Sequence, residues 1–320
     1  TRDFWRVLRR SLPKFRNRKL GQDPHKLEVL QEQWTPYFEK LESGYASSTQ
    51  QIVGECHERQ MQMPVVQDHF VHADLPSIIE LEDVFRTTQA DRATGLDPIP
   101  SGAFKQHAVT LATAYFPLLL KTCLWQHEPV TSKGGQMAVI YKKGSGFLAE
   151  NYRGIMLLPS FAKRVHALMR TRLMKMLRTQ RPQGQLGGFP SMQVPFGSQF
   201  LQTFGRIMDS LNVSSAIVFI DLANAFHCLI RELVSGIVVP DDVEAVLERL
   251  LHEGLPVPDI IELLQLPSLL ERLGAPPFIT QLIQDFHTGT WMYVPGAYQP
   301  IVTRKGTRPG SPLADCIFHI

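Results

Sequence analysis

The sequence predicts an α/β (α+β) fold, and three observations lead to this class. Apolar residues recur at helical spacing over 101–124 and 160–178, so each segment predicts an amphipathic helix. Short β-prone runs at 137–141 and 216–220 predict strands, and two further runs flank Pro295 in a hairpin pattern. With 44% hydrophobic residues in 320, the chain can bury a core, and its length exceeds that of one typical domain.

The first half of the chain is predicted to alternate helix and linker. Residues 24–41 carry apolar side chains at loose helical spacing and predict a docking helix, whereas the polar residues 42–76 predict a linker. The helix over 101–124 follows the turn at 97–100, because proline disfavours helical backbone in the residue before it. A further helix is predicted over 199–211.

The second half opens with a continuous β-prone run at 216–220, which predicts a strand buried on both faces. The run ends at Asp221. A helix is expected next, with these side chains facing inward: Ala225, Leu229, Ile230 and Leu233. Residues 291–294 and 299–302 predict the two strands of a hairpin.

Charge is distributed unevenly, although 33 Lys and Arg nearly balance 30 Asp and Glu. Residues 1–20 hold eight Lys or Arg and one Asp, and residues 133–178 hold ten against a single Glu150. Residues 236–275 hold eight Asp or Glu and two Arg. Two basic segments apart from an acidic one are typical of a polyanion binder with a solvent-facing insertion, so nucleic acid is the expected partner.

The acidic insertion at 236–275 is also rich in Leu and Ile, which argues against a disordered acidic loop. We expect it to fold on the outer side of the sheet, remote from Arg153 and Asp221. It should form short helices broken at three prolines: Pro256, Pro258 and Pro267.

Composition excludes several classes of protein. The four cysteines form no CxxC pair, so neither a disulfide framework nor a thiolate zinc site is indicated. The longest apolar run, 108–120, is too short to cross roughly 30 Å of hydrocarbon, so no membrane span is predicted. The N-terminal stretch lacks the apolar core of a signal peptide, which predicts an intracellular protein, nuclear or cytoplasmic and not secreted. Because Thr1 stands first, we expect a piece of a longer protein.

Asp221 is the sharpest candidate for chemistry, because a carboxylate at the carboxyl end of a buried strand is where Mg²⁺ and phosphates are commonly bound. Alone it is ambiguous. A Walker B strand has the same pattern, but no GxxxxGK[ST] segment stands upstream. A carboxylate that caps the next helix is the structural alternative.

Six blocks of the sequence together resemble, in the same order, the blocks of reverse transcriptases of non-LTR (LINE-type) retrotransposons. The resemblance spans about 93–320, with a fainter echo at 34–44. The blocks are ATGLDPIP (93–100), YKKG (141–144), NYRGIMLLP (151–159), QLGGF (185–189), FIDLANAF (219–226) and GTRPGSPL (306–313). The resemblance implies a right-hand polymerase fragment, with helical fingers and an incomplete palm sheet.

The resemblance implies a dNTP-binding role for four residues. Arg153 matches the fingers arginine that lies along the triphosphate, a role suited to a permanently charged planar fork. Lys142 and Lys143 would add a cation on the neighbouring strand, or else belong to a solvated turn. Phe226 matches the bulky residue beneath the deoxyribose, and a core aromatic is the alternative.

The resemblance also implies the metal and template contacts. Asp221 matches the first catalytic, metal-binding aspartate of the palm, with the Leu222 carbonyl as an additional ligand for Mg²⁺ (or Mn²⁺). Gly310 and Ser311 match the tight segment beneath the templating base. Independently of the resemblance, the basic face of the 160–178 helix almost lacks acidic partners, which argues against the alternative of a solvated polar face. We expect it to contact the RNA template and DNA primer through Lys163, Arg164, Arg170 and Lys175.

Departures from the family limit what this chain is expected to do. His227 stands where the family often has Asp, and Pro309 stands where Gln is usual. The sequence stops at Ile320, before the expected [YF]xDD pair, and two-metal phosphoryl transfer needs several carboxylates. We therefore expect a fragment that is inactive alone, or a non-catalytic nucleic-acid-binding remnant. The expected organisation is a basic arm, docking helix and linker at 1–76, fingers at 77–212, and a partial palm at 213–320.

Overall fold

The computed structural model of the chain mixes helix and strand, as the sequence predicts. The basic arm expected at 1–20 and the block at 185–189 lie outside the residues that it describes. Those residues are 24–62, 71–97, 99–180, 194–222, 224–237, 242–252 and 257–320.

Helices make up most of the described chain. Those in its first two thirds are α1 Pro24–Leu41, α2 Thr49–Gln62, α3 Ile78–Arg86, α4 Ser101–Gln106, α5 Ala108–Trp125, α6 Ser160–Gln180 and α7 Val194–Ser210. Those that follow are α8 Arg231–Ser235, α9 Asp242–His252, α10 Val257–Gln265, α11 Leu269–Arg272, α12 Pro277–His287 and α13 Ala314–Phe318. The helices predicted over 24–41, 160–178 and 199–211 are thus confirmed, and the helix predicted over 101–124 is divided at His107.

The strands of the described chain form one mixed five-stranded sheet. They are β1 Tyr45–Ala46, β2 Gly134–Tyr141, β3 Tyr152–Leu157, β4 Thr290–Tyr293 and β5 Ile301–Thr303, and their order across the sheet is β1-β5-β4-β2-β3. β2 pairs antiparallel with β3 and parallel with β4, and β4 pairs antiparallel with β5. The strand predicted at 137–141 and the hairpin predicted at 291–302 are confirmed.

Two hydrophobic clusters hold the helices and the sheet together. The larger one joins α3, α5 and α6 to α12 and α13, and it includes these buried side chains: Leu81, Phe85, Phe104, Leu119, Leu168, Phe278, Phe286 and Ile317. The second packs α1 against one face of the sheet through Trp34, Phe38, Met137, Met156, Met292 and Ile301. The larger cluster therefore contains residues from both sides of the boundary expected at 212.

The linker predicted at 42–76 is wrong, because this segment contains β1 and α2. The hydroxyl of Ser48 accepts a hydrogen bond from the Gln51 N–H at 3.2 Å, which caps the start of α2. Only a narrow stripe of α2 is buried, including Ile52 and Cys56. A helix with so few apolar residues has a weak periodic signal, so its composition resembles that of a linker.

The strand predicted at 216–220 is also wrong. Residues 214–222 form neither helix nor strand, and their side chains are exposed, up to 85% for Ile220. A β-prone segment forms a strand only when a neighbour pairs with its N–H and C=O groups. Among the described residues, no strand pairs with the segment 216–220. The helix expected after it is reduced to a short 3₁₀ turn at Ala225–His227, followed by α8.

The acidic insertion forms short helices, as predicted, and Val246, Leu250 and Ile260 pack together in a small core of their own. The predicted break at Pro258 is wrong, because this proline lies in the first turn of α10, where its missing N–H costs little. Pro267 does separate α10 from α11, and Pro256 lies outside the described residues.

By length and composition alone, α5 could cross a membrane. It carries Lys121, and its buried side chains, among them Ala112 and Leu119, belong to the larger hydrophobic cluster. The core helix of a folded domain passes the same test, so α5 is weak evidence for a span. The absence of a membrane contact stays a prediction.

Candidate nucleic-acid interface

The hairpin of β2 and β3 has one covered face and one open face. On the covered face Trp34 of α1 meets Tyr152 edge to face, with ring centroids 5.1 Å apart. The open face carries Arg153, which pairs across the hairpin with Ile140. The N–H of Lys142 donates to the carbonyl of Asn151 at 2.8 Å, so Lys142 continues the pairing on the same face as Arg153.

The cations of this hairpin are not held in ion pairs within the described chain. Arg153, Lys142 and Lys143 are exposed, and no carboxylate of the described residues forms an ion pair with them. Because Arg153 and Lys142 are neighbours on one face, both could contact the same polyphosphate group.

Gly310 lies at the outer edge of β3, beside Ile155. The carbonyl of Pro309 accepts from the Met156 N–H at 2.5 Å, and Gly310 has φ +111°. A Cβ atom at Gly310 would lie 2.4 Å from the Met156 carbonyl oxygen and 3.2 Å from Cγ2 of Ile155. The close approach expected at this glycine is therefore present, and its partner is β3.

A second glycine approaches β3 at its last residue, next to the contact of Gly310. A Cβ atom at Gly95 would lie 1.8 Å from the Leu157 carbonyl oxygen, so only glycine fits there. Two residues further on, the Asp97 carboxylate accepts from the Ser160 N–H at 3.0 Å and caps α6. The block at 93–100 thus joins the end of β3 to the start of α6.

The block at 219–226 reaches the same region through its last residues. The Gly306 N–H donates to the Leu229 carbonyl at 2.7 Å, and the Thr307 N–H donates to the Phe226 carbonyl, also at 2.7 Å. Phe226 is 37% exposed and meets Phe318 of α13 edge to face. Four of the six blocks therefore meet at β3, and the block at 219–226 is joined to the block at 306–313 through Phe226. The sixth, at 185–189, lies outside the described residues.

A buried polar network holds the turn that carries Gly310. His166 of α6 lies between the Glu128 carboxylate, 2.8 Å from Nε2, and the Ser311 hydroxyl, 2.9 Å from Nδ1. Burial lowers the pKa of His166, which favours a neutral ring between the Glu128 carboxylate and the Ser311 hydroxyl. Arg308 adds a bond to the Ser132 carbonyl at 3.1 Å. Because the hydroxyl of Ser311 is bound here, this residue positions the turn.

Three cations gather at the start of α6, and we call them the α6 cation cluster: Arg92, Lys163 and Arg164. Lys163 Nζ donates to the Ala93 carbonyl at 2.8 Å, which brings α6 against the loop that carries Arg92. Nε of Arg164 is buried and has no hydrogen-bond partner among the described residues. No ion pair neutralises any of the three within the described chain.

The electrostatics of the α6 cation cluster favour an anion. Burial lowers the pKa of Lys163 to about 8, and the neighbouring Arg164 and Arg92 act in the same direction. Lys163 also lies in the first turn of α6, where the helix dipole is positive, and Arg164 follows it directly. Like charges brought together at such a point cost free energy until an anion binds among them.

On the rest of the basic face of α6, some cations are in ion pairs with described residues and others are not. Arg170 forms two hydrogen bonds with the Asp315 carboxylate, at 2.7 and 3.2 Å, so its charge is already paired. Arg172 is bound to Glu80. Lys175 is exposed and forms no ion pair among the described residues.

Asp221 and Leu222 are exposed and lie in the unpaired segment after α7. The carboxylate is therefore not at the end of a sheet strand, contrary to the expectation from sequence. Among the described residues, no three His, Cys, Asp or Glu side chains are grouped to hold a metal ion. Asp221 and the Leu222 carbonyl thus do not by themselves form a site that fits Mg²⁺.

Sequence reasoning missed four residues of this region: Arg92, Glu128, His166 and Arg308. Arg92 stands directly before the block at 93–100, and its position there was the available signal. The other three meet only in the folded chain, because 38 residues separate Glu128 from His166 and 142 separate His166 from Arg308. Comparisons of the sequence with models of protein families and with curated proteins find no match.

Proposed function

We propose that this chain is the fingers and an incomplete palm of a reverse transcriptase of the non-LTR type, and that it binds nucleic acid. One observation carries the proposal: four blocks that resemble this family, dispersed over residues 93–313, meet at β3, and a fifth, at 219–226, is joined to the last of them through Phe226. The glycines at 95 and 310 are needed for that meeting, because any side chain there would collide with the backbone of β3.

The unpaired cations support a polyanionic ligand. Arg153 and Lys142 would hold the phosphates of a dNTP, with Lys143 beside them. The α6 cation cluster would hold backbone phosphates of the RNA template or DNA primer, with Lys175 further along the helix. The exposed backbone of Gly310 would lie beneath a base, because a residue without a side chain permits close approach.

Binding of a labelled RNA–DNA hybrid, measured by fluorescence anisotropy over a salt series, tests the proposal. Affinity should fall steeply between about 50 and 200 mM salt, because neutralised phosphates release counterions. Changing Arg92, Lys163 and Arg164 to Gln should weaken binding and reduce the salt slope by about one per cation removed.

The matched control removes the same charge elsewhere, from three exposed lysines: Lys40, Lys105 and Lys121. It should leave the affinity and the salt slope nearly unchanged. A flat salt response, or equal losses in the two triple variants, would refute the proposed interface.

Catalysis by this chain alone is a separate question, and the isolation of Asp221 favours a second candidate, a non-catalytic nucleic-acid-binding remnant. In the complete enzyme, Mg²⁺ (or Mn²⁺) would supply the charge that phosphoryl transfer requires. Primer extension on an RNA template discriminates the two candidates. Extension that Asp221→Asn abolishes would establish the enzyme, and binding without extension would favour the remnant.

A further inference from the structure

A cavity of about 270 Å³ lies where the acidic insertion meets the β4–β5 hairpin. Six elements line it: β1, α2, α8 with the residues after it, α9, the end of α12 with the residues after it, and β5 with the residue after it. None of the residues that resemble the reverse transcriptase blocks lines this cavity, so it is separate from the interface proposed above.

The lining is rich in arginine. Four arginines stand against two glutamates, and they come from different elements of the fold: Arg59, Arg231, Arg249 and Arg304 against Glu55 and Glu232. Burial lowers the pKa of His287, which also lines the cavity, well below its ordinary value, so this ring adds no charge.

The guanidinium of Arg231 is used in hydrogen bonds within the fold. Its guanidinium is buried and donates to the carbonyls of Gly306, His287, Thr303 and Lys305 at distances from 2.6 to 3.0 Å. This side chain fixes the hairpin against α8, so a ligand would find no open donor on it.

Two nitrogens of the Arg249 guanidinium form hydrogen bonds within the described part of the fold, and the third does not. Its Nη2 donates to the Glu232 carboxylate at 2.9 Å, and its Nη1 donates to the Arg304 carbonyl at 2.7 Å. The side chain is 10% exposed, and its Nε is buried without a hydrogen-bond partner in the described chain. A buried, unpaired guanidinium N–H costs free energy unless a ligand accepts from it.

Arg59 and Arg304 contribute charges that no carboxylate neutralises. The guanidinium of Arg59 packs on the backbone of Gly289, where a Cβ atom would lie 2.0 Å from Nη2. Arg304 lies over the ring of Tyr45, 4.8 Å from its centroid. Within the described residues neither forms an ion pair.

We propose that this cavity binds a small ligand through a phosphate group, with Arg59, Arg249 and Arg304 as its donors. The excess of two positive charges matches a phosphate dianion, and guanidinium forks from several directions suit its tetrahedral oxygens. At about 30 Å³ per water molecule, the cavity has room for a phosphate and part of an attached group.

The proposal assigns a role to the acidic insertion. Arg249 is one of only two arginines among residues 236–275, and α9 directs it into the cavity. The acidic residues around it would exclude a long polyanion from the cavity while a single phosphate group enters. This role does not depend on the reverse transcriptase assignment.

Isothermal titration calorimetry of the whole chain with inorganic phosphate, and separately with AMP, tests the proposal at fixed ionic strength. Arg59→Gln should weaken phosphate binding about tenfold or more, because one charge-assisted contact is lost. Arg249→Gln should do the same. Arg272→Gln, which removes the insertion's other arginine from an exposed position, should leave the affinity unchanged.

Arg59→Gln is the decisive variant, since Arg59 has no carboxylate partner whose loss could unfold the chain. Tighter binding of AMP than of phosphate would identify an organic phosphate as the ligand, and equal binding would identify free phosphate. Absence of saturable phosphate binding, or binding that Arg59→Gln leaves intact, would overturn the proposal. So would an equal loss of RNA–DNA hybrid binding in Arg59→Gln, because the cavity would then belong to the nucleic-acid interface.

Discussion

The Glu42 carboxylate, just after α1, pairs with Nδ1 of His227, just after Phe226. The other oxygen of Glu42 lies 3.9 Å from Nη2 of Arg231. Its carbonyl accepts from the N–H groups of Arg304 and Lys305 at 3.0 and 3.2 Å. The histidine that departs from the resembled family therefore has a buried acidic partner, which ties α1 to the segment that carries Phe226.

Removing the Glu42 carboxylate should destabilise the fold strongly. Glu42→Ala removes the buried carboxylate that contacts both His227 and Arg231, and breaking a buried pair in this way costs about 3–5 kcal/mol. Urea unfolding measures the loss. Glu58→Ala, at an exposed position on α2, is the control and should change the free energy of unfolding by less than about 0.5 kcal/mol. A loss below about 1 kcal/mol for Glu42→Ala would show that the pair does not secure α1.

Gly310→Ala should also destabilise the chain, because alanine is strained at φ +111° and its Cβ would meet the Met156 carbonyl oxygen. The backbone strain alone is worth about 1–3 kcal/mol. Gly54→Ala is the matched control, since nothing lies within 4 Å of its Cβ position in α2. The control should stabilise the chain by roughly 0.5–1 kcal/mol. Equal thermal stabilities of the two variants would contradict the close approach of Gly310 to β3.

Much of the fold could be predicted from sequence where one face of an element is strongly apolar. The pattern over 160–178 predicts a helix because Phe161, Val165 and Leu168, which the fold buries, recur at helical spacing. The β4–β5 hairpin was found because Pro295 and Gly296 separate two β-prone runs. These patterns are local, so they do not depend on the rest of the chain.

The errors arose where structure depends on distant partners. The run at 216–220 has the composition of a buried strand, but composition cannot supply the neighbouring strand that pairing requires. The basic face of α6 lacks acidic residues nearby in sequence, yet Asp315 and Glu80 neutralise Arg170 and Arg172 from other elements. Open and paired cations could therefore not be separated before the fold was known.

Cysteine reactivity should follow burial. Burial raises the pKa of Cys123 and Cys316 to about 12, so neither forms a thiolate near neutral pH. Cys228 is exposed. In the native chain at neutral pH, a thiol reagent analysed by mass spectrometry should modify Cys228 first, and Cys123 and Cys316 only after unfolding in guanidinium. Rapid native modification of Cys123 or Cys316 would contradict the packing of α5 and α13.

Nucleic-acid binding should weaken at alkaline pH through Lys163. With its pKa lowered to about 8, Lys163 is charged below that pH and loses its charge as the pH rises through it. Affinity for an RNA–DNA hybrid at pH 9 should fall by up to about tenfold relative to pH 7, the worth of one charge-assisted hydrogen bond of roughly 1.5 kcal/mol. Lys163→Arg, which stays charged, should flatten the profile. Identical pH profiles for the wild-type chain and Lys163→Arg would show that Lys163 is not part of the interface.

The lowered pKa of Lys163 has the opposite consequence for the stability of the unbound chain. Because the folded-state pKa of Lys163 lies below the ordinary 10.5, the unfolded chain binds its proton more tightly. Its contribution to stability should therefore rise, not fall, as the pH increases from about 8 toward 10.5. Comparing the urea midpoints of the wild-type chain and the Lys163→Arg variant over this pH range separates the effect on folding from the effect on binding.

Lysine footprinting with and without a bound RNA–DNA hybrid tests the central claim most directly. An amine-acylating reagent, read by mass spectrometry, reports the accessibility of each lysine. Lys142, Lys143, Lys163 and Lys175 should be protected by the hybrid, and the protection should vanish at roughly 1 M salt, where the Debye length is about 3 Å. Lys40 and Lys121 should react equally in both states. Protection of these two controls, or no protection at the open face of β3 and the start of α6, would contradict the proposed nucleic-acid interface.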